Sequence, residues 1–153
     1  PKSMKETLKV MDTANVTMQL KDNGAGIEFL KEAVDNFEKA TKEYTINLEK
    51  LKNSLDPMEL RIANDQMMQL ERVFNMPYGI PGRPSIRNAI FAPSKFNSYG
   101  GAAFPGISDL LHEIDDLPKE ENVKRWKEVK RHVSDLMIMI NEAARFLNPV
   151  FEI

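Results

Sequence analysis

His112 and His132 are the only histidines in a chain of 153 residues that has no cysteine. Any base, nucleophile or metal site would therefore have to draw mainly on carboxylates and hydroxyls. The nearest approach to a ligand cluster is Asp109, His112, Glu113 and Asp116, at helical spacing along Ile107–Asp116. Zinc centres need three or four converging donors, each oriented by further hydrogen bonds, and no His-Glu-x-x-His pair occurs. The plainer reading of those four residues is a solvated helix face. The Glu-x-x-His pairs of di-iron bundles are also missing, and no Ser–His–acid spacing supplies a base oriented by a third group. No catalytic residue and no metal ligand is assigned within the chain. Lys124, Arg125, Lys127, Lys130 and Arg131 surround Trp126. Such a cluster suits a phosphate or an acidic partner, but Glu120, Glu121 and Glu128 are interleaved with it, as on the polar side of an amphipathic helix.

Composition narrows the partners. The net charge is −2, so no global basic field draws the chain to nucleic acid or to an acidic membrane surface. No run of about 18 apolar residues is present to span a bilayer. The absence of cysteine excludes disulfides, thiol catalysis and thiolate metal sites. The chain opens Pro1-Lys2-Ser3, without an initiating Met, and is expected to be part of something longer. Asn15-Val16-Thr17 is a glycosylation sequon, relevant if that longer protein is secreted.

The elements that would position any site are helices. Ile27, Leu30, Val34, Phe37, Thr41, Tyr44, Leu48, Leu51 and Leu55 are spaced 3-4-3-4, which predicts one long amphipathic helix. Asp56-Pro57-Met58-Glu59 supplies an N-cap acceptor, a proline at the first helical position and a glutamate three residues on, with Leu55 and Leu60 placed as a hydrophobic staple. The helix it starts carries Leu60, Ala63, Met67, Leu70 and Phe74. A short helix is expected through Ile107, Leu110, Leu111 and Ile114, with Asp109 in its first turn facing the helix dipole. A last long helix opens at Pro118 and carries Trp126, Val129, Val133, Leu136, Ile140, Ala143 and Leu147. Lys5–Leu20 reads as a weaker helix, followed by the turn Asn23-Gly24-Ala25-Gly26. The methionines on the stripes, Met67 and Met137 among them, read as core filler.

Between the helices, Asn75 to Gly106 holds five of the seven glycines (Gly79, Gly82, Gly100, Gly101, Gly106) and five of the nine prolines (Pro77, Pro81, Pro84, Pro93, Pro105). So long an irregular segment inside a domain is usually functional or disordered. Tyr78, Ile80, Ile86, Ile90, Phe91, Phe96, Tyr99 and Phe104 argue for order, because disordered segments are poor in such side chains. A short β-pair around Ile86–Ala92 stays open, without a pattern to support it. The fold class predicted is all-α: one domain over 1–153, a bundle of about four to five helices, with a long ordered Pro/Gly-rich loop between the third and fourth.

The loop also carries a resemblance. Phe74-Asn75-Met76-Pro77-Tyr78-Gly79-Ile80-Pro81-Gly82-Arg83-Pro84, Arg87-Asn88-Ala89-Ile90-Phe91-Ala92-Pro93-Ser94, Asn97-Ser98-Tyr99-Gly100-Gly101 and Phe104-Pro105-Gly106-Ile107 resemble, in order and spacing, the C-terminal helical domain of the glutamate carboxypeptidase (N-acetylated alpha-linked acidic dipeptidase) family. That domain is the transferrin-receptor-like dimerisation domain. The similarity continues upstream through Asn64-Asp65-Gln66-Met67 and Leu70-Glu71-Arg72, and more weakly through Leu30 to Phe37 and Trp126 to Arg131.

The resemblance implies a parent with a two-zinc protease domain, an apical domain and this helical domain, anchored in a membrane and facing the extracellular or luminal side. Zinc ligands and the catalytic glutamate would lie upstream, leaving this segment without a cofactor or membrane contact of its own. The bundle would form most of a homodimer interface, and the loop 75–106 would reach the protease domain's substrate cavity. There a lysine–tyrosine pair of the family binds the glutamate side chain of the peptide substrate. Tyr99 matches the tyrosine and Asn97 the asparagine two residues before it, but Ser98 stands where the lysine belongs. A serine hydroxyl is neutral where lysine is a point charge, so selectivity for terminal glutamate is expected to be weaker. Glu38, in Asn36-Phe37-Glu38, likewise removes a glycosylation sequon of the family. Two alternatives stay open: a non-catalytic receptor ectodomain of the transferrin-receptor type, and a stand-alone bundle that binds a helical partner.

Overall fold

The computed structural model describes residues 1–54, 56–96 and 103–148. Six α-helices form among them: α1 (Lys2–Thr13), α2 (Val16–Asp22), α3 (Ile27–Ser54), α4 (Pro57–Val73), α5 (Pro105–Leu111) and α6 (Lys119–Phe146), with a 3-10 turn at Ile114–Asp116. The described residues form no β-strand, and the architecture is an all-α bundle.

Helices α3 and α6 make the central pair because their stripes are the longest. Ile27, Leu30, Val34, Phe37 and Tyr44 of α3 are buried, as are Trp126, Val129, Val133, Leu136, Ile140 and Ala143 of α6. Full burial of each large aliphatic side chain contributes about 1.5–3 kcal/mol, so this seam dominates the core. Helix α4 starts where the cap residues predict. The Asp56 carboxylate accepts from the backbone N–H of Met58 at 2.8 Å and of Glu59 at 3.3 Å, while the staple partner Leu55 lies outside the described residues. The Tyr44 hydroxyl donates to the Ala63 carbonyl at 2.6 Å and ties α3 to α4.

The N-terminal segment differs from the single helix expected over Lys5–Leu20. It breaks at Asn15, whose φ of 58° lies in the left-handed region. Asparagine tolerates that conformation far better than most residues, so α1 and α2 can turn against each other and each bury a face. The loop consequently follows the fourth helix and precedes the fifth. Lys5 of α1 pairs with Asp35 and Glu38 of α3, so Glu38 anchors α1 at the position where a sequon is lost.

The described part of the loop folds back on itself. Met76 N–H bonds to the Arg87 carbonyl at 2.8 Å, Ile80 N–H to Ile86 at 2.9 Å and Ala89 N–H to Phe74 at 2.9 Å. Pairing around Ile86–Ala92 is limited to isolated bridges, Asn75 with Asn88 and Phe91 with Ala103. Gly79 cannot be replaced in this hairpin without movement: its φ is +73°, and a Cβ there would stand 2.5 Å from the Pro84 carbonyl oxygen. Ile80, Ala89, Ile90, Ala103 and Phe104 are buried with the helices in one core.

Candidate functional site

Helix α5 begins at Pro105, so Asp109 sits a full turn inside it rather than in its first turn. It does not serve the helix dipole. Its carboxylate is buried against the incoming segment of the loop. One oxygen, Oδ1, accepts from Ser94 Oγ at 2.8 Å and from the Lys95 backbone N–H at 2.7 Å. The other, Oδ2, faces Arg83 Nη2 at 2.6 Å, and both side chains of that pair are largely buried. The approach lies off the N–H direction, which makes it an ion pair without a hydrogen bond. Arg83 also donates from Nη1 to the Pro93 carbonyl at 2.6 Å. Three consecutive residues, Pro93 to Lys95, are thus held by one charge pair. Removing one partner of such a pair strands a buried charge, at a cost of about 3–5 kcal/mol.

The next residue is fixed as well. Phe96 stacks on His112 with ring centroids 3.7 Å apart and planes 11° from parallel. On the outgoing side, Ala103 bridges to Phe91 and its N–H donates to Thr7 Oγ1 of α1 at 3.0 Å. Phe104 takes a φ of 65° and is fully buried. These contacts form a neck, with Pro93–Phe96 entering and Ala103–Phe104 leaving. Asn97, Ser98 and Tyr99, the residues matched to the substrate-binding positions, follow Phe96 in the sequence and lie outside the described residues.

His132 of α6 lies beneath the neck, 1% exposed, with neither ring nitrogen hydrogen-bonded. Burial lowers its pKa from 6.5 to about 4, outweighing the opposing pull of the Asp109 charge. The ring is therefore neutral at pH 7. Gly106 packs directly against it: a Cβ on Gly106 would stand 2.2 Å from Nε2. The close passage of α5 over α6 depends on this glycine.

The patch of Asp109, His112, Glu113 and Asp116 is not assembled as a helix face. Helix α5 ends at Leu111, His112 leaves it with extended ψ, and Glu113 takes a left-handed φ of 52°. Asp109 then points inward to Arg83, while His112 stacks on Phe96. No group of three or more potential metal ligands converges among the described residues. The basic cluster around Trp126 is as expected of a polar helix face: Lys124, Lys127, Lys130 and Arg131 are exposed, and Trp126 is buried. An open groove of about 760 Å³ runs between the Met76–Pro84 hairpin and the outer side of α6, with Tyr78, Ile138 and Met139 in its walls.

Sequence reasoning missed the Arg83–Asp109 pair. A signal was available, since Arg83 interrupts a Pro/Gly turn and Asp109 interrupts the apolar run Ile107–Leu111. Their contact spans distant parts of the chain, and no local pattern encodes it.

An all-α bundle on an α3–α6 seam, carrying a long tied loop, defines a helical domain class in which the loop is the distinctive part. The transferrin receptor-like dimerisation domain model matches residues 25–148. The chain belongs to that family. Among curated relatives, the rat aminopeptidase NAALADL1 is 29% identical over 142 residues, covering 91% of this chain and 18% of its own length. The probable glutamate carboxypeptidase LAMP1 of Arabidopsis thaliana is 28% identical over 121 residues, covering 79% and 17%. The mouse NAALADL1 is 30% identical over 138 residues, covering 88% and 18%. The chain thus spans under a fifth of the length of these relatives.

Proposed function

We propose that this chain is a dimerisation domain that also completes the substrate pocket of a zinc-dependent, glutamate carboxypeptidase-like exopeptidase. The reading is carried by one observation: a loop the family model spans is tied at both sides of a neck, as a segment that must present residues at a fixed place should be. In this reading 1–153 works as the helical domain of a longer extracellular or luminal chain, and 75–106 faces the protease domain's cavity. Two zinc ions held by that other domain would activate the attacking water. The present residues would bind and orient. Tyr99 would donate to the carboxylate of the substrate's terminal side chain, a contact contributing about 1.5–3 kcal/mol. Asn97 and Ser98 would line the same place, with Ser98 offering a hydroxyl in place of a charge.

The rat and mouse relatives carry the name aminopeptidase, which favours a second reading in which the free amino end of the peptide is the one recognised. The neutral Ser98 agrees with it, since a carboxylate-terminated side chain would lose its cationic partner. A receptor ectodomain without hydrolysis is the third outcome. In the full-length protein, Tyr99→Phe is expected to raise KM for glutamate-terminated peptides roughly ten- to hundredfold. Unchanged kinetics would remove Tyr99 from the site, cleavage from the amino end would select the second reading, and no hydrolysis would select the third.

A further inference from the structure

Asn15, Val16 and Thr17 form a sequon that neither the core nor the neck uses. Asparagine at position 15 has a backbone reason, since φ there is 58° and asparagine tolerates the left-handed region. Glycine or aspartate would serve that turn as well, and the turn asks for nothing at position 17. A threonine two residues after this asparagine is therefore left unexplained, and so is the asparagine side chain itself. Asn15 stands at the N-cap of α2 but makes no capping hydrogen bond, and it is exposed at the corner between α1 and α2. Val10, in the last turn of α1, and Met18, in the first turn of α2, are 66% and 63% exposed. Two large apolar side chains thus flank the sequon in solvent. Thr7, which α1 lends to the loop, lies about two turns back along the helix, so Asn15 stands apart from the neck.

We propose that Asn15 carries an N-linked oligosaccharide in the full-length protein. The donor is a lipid-pyrophosphate-linked oligosaccharide of the secretory lumen. Asn15 Nδ2 bonds to the anomeric carbon of the first sugar, and the bond from that carbon to the pyrophosphate oxygen breaks. The amide proton leaves with the released lipid pyrophosphate. Val16 satisfies the requirement that the middle residue not be proline. Thr17 Oγ1 is buried in the finished fold, so an enzyme that reads the amide and the hydroxyl together must act before α2 closes. After folding the attachment point faces solvent, as a bulky, hydrated group requires, and a sugar rooted between Val10 and Met18 would shield both. The inference rests on the extracellular or luminal placement proposed above and adds to it a modified, solvent-facing corner of the bundle.

The test translates the full-length protein in the presence of microsomal membranes. Protease added outside the vesicles shows whether this domain is enclosed. The peptide containing Asn15 is then mapped by mass spectrometry after enzymatic release of glycans in heavy-oxygen water, which turns an occupied asparagine into heavy-labelled aspartate. Wild type is compared with Asn15→Asp, Thr17→Ala and Thr17→Ser. Asn15→Asp keeps a residue that tolerates the left-handed φ, and Thr17→Ser keeps the sequon. Expected are an enclosed domain, a labelled position 15 in wild type and Thr17→Ser, and loss of one glycan's mass in Asn15→Asp and Thr17→Ala. An enclosed domain whose Asn15 is bare in the wild type overturns the modification and leaves the placement standing. An unchanged mass in both loss variants overturns it as well. A domain open to the added protease defeats the placement and the modification together.

Discussion

His132 shows what one buried ring contributes at the residue scale. Its pKa is about 4 in the fold against an ordinary 6.5, so the unfolded chain takes up a proton in this range and the folded chain does not. Stability from this group is complete above about pH 6.5 and falls as the pH drops toward 4, by about 3 kcal/mol at most. Asp12 and Glu38, whose pKa values are lowered mainly by hydrogen bonds to Lys31 and Lys5, also lose stabilisation in acid. The His132 share is isolated by comparison with His132→Leu: the difference in unfolding free energy between pH 7 and pH 4.5 is expected to be smaller in the variant. An equal pH dependence would show that His132 does not titrate across this interval. The ring was visible in the sequence only as a polar residue beside Val129, Val133 and Leu136, because its burial depends on Gly106 approaching from a different helix.

Helix α5 is where the approach is tightest. Gly106→Ala would place a methyl 2.2 Å from Nε2 of a ring that is buried and cannot swing outward. The expected cost is about 1–3 kcal/mol of overpacking, measured by denaturant unfolding at pH 7. A neutral result would mean that α5 can ride up on α6, and with it that the neck is not rigidly placed. The long helices α3, α4 and α6 were legible from their stripes and from the Asp56-Pro57 cap, since both signals are local. The split between α1 and α2 was not, because Asn15 suits a helix interior poorly but does not forbid one. The extent of α5 was misjudged for a related reason: the apolar spacing continues from Leu111 to Ile114, while the backbone leaves the helix at His112 and turns at Glu113. That departure separates Asp109 from the acids that seemed to share its face, and frees it for Arg83.

At the scale of the whole molecule, dimerisation is the property the family match supports most directly. Helix α4 is the element with least cover, with Ala63 its one buried side chain and Met68 74% exposed. Its apolar stripe is as regular as those of α3 and α6, so the sequence reads it as equally buried, and the bundle leaves it half open. Light scattering on the full-length protein at micromolar concentration measures dimerisation in one number. Twice the chain mass is expected, and a strict monomer would contradict it.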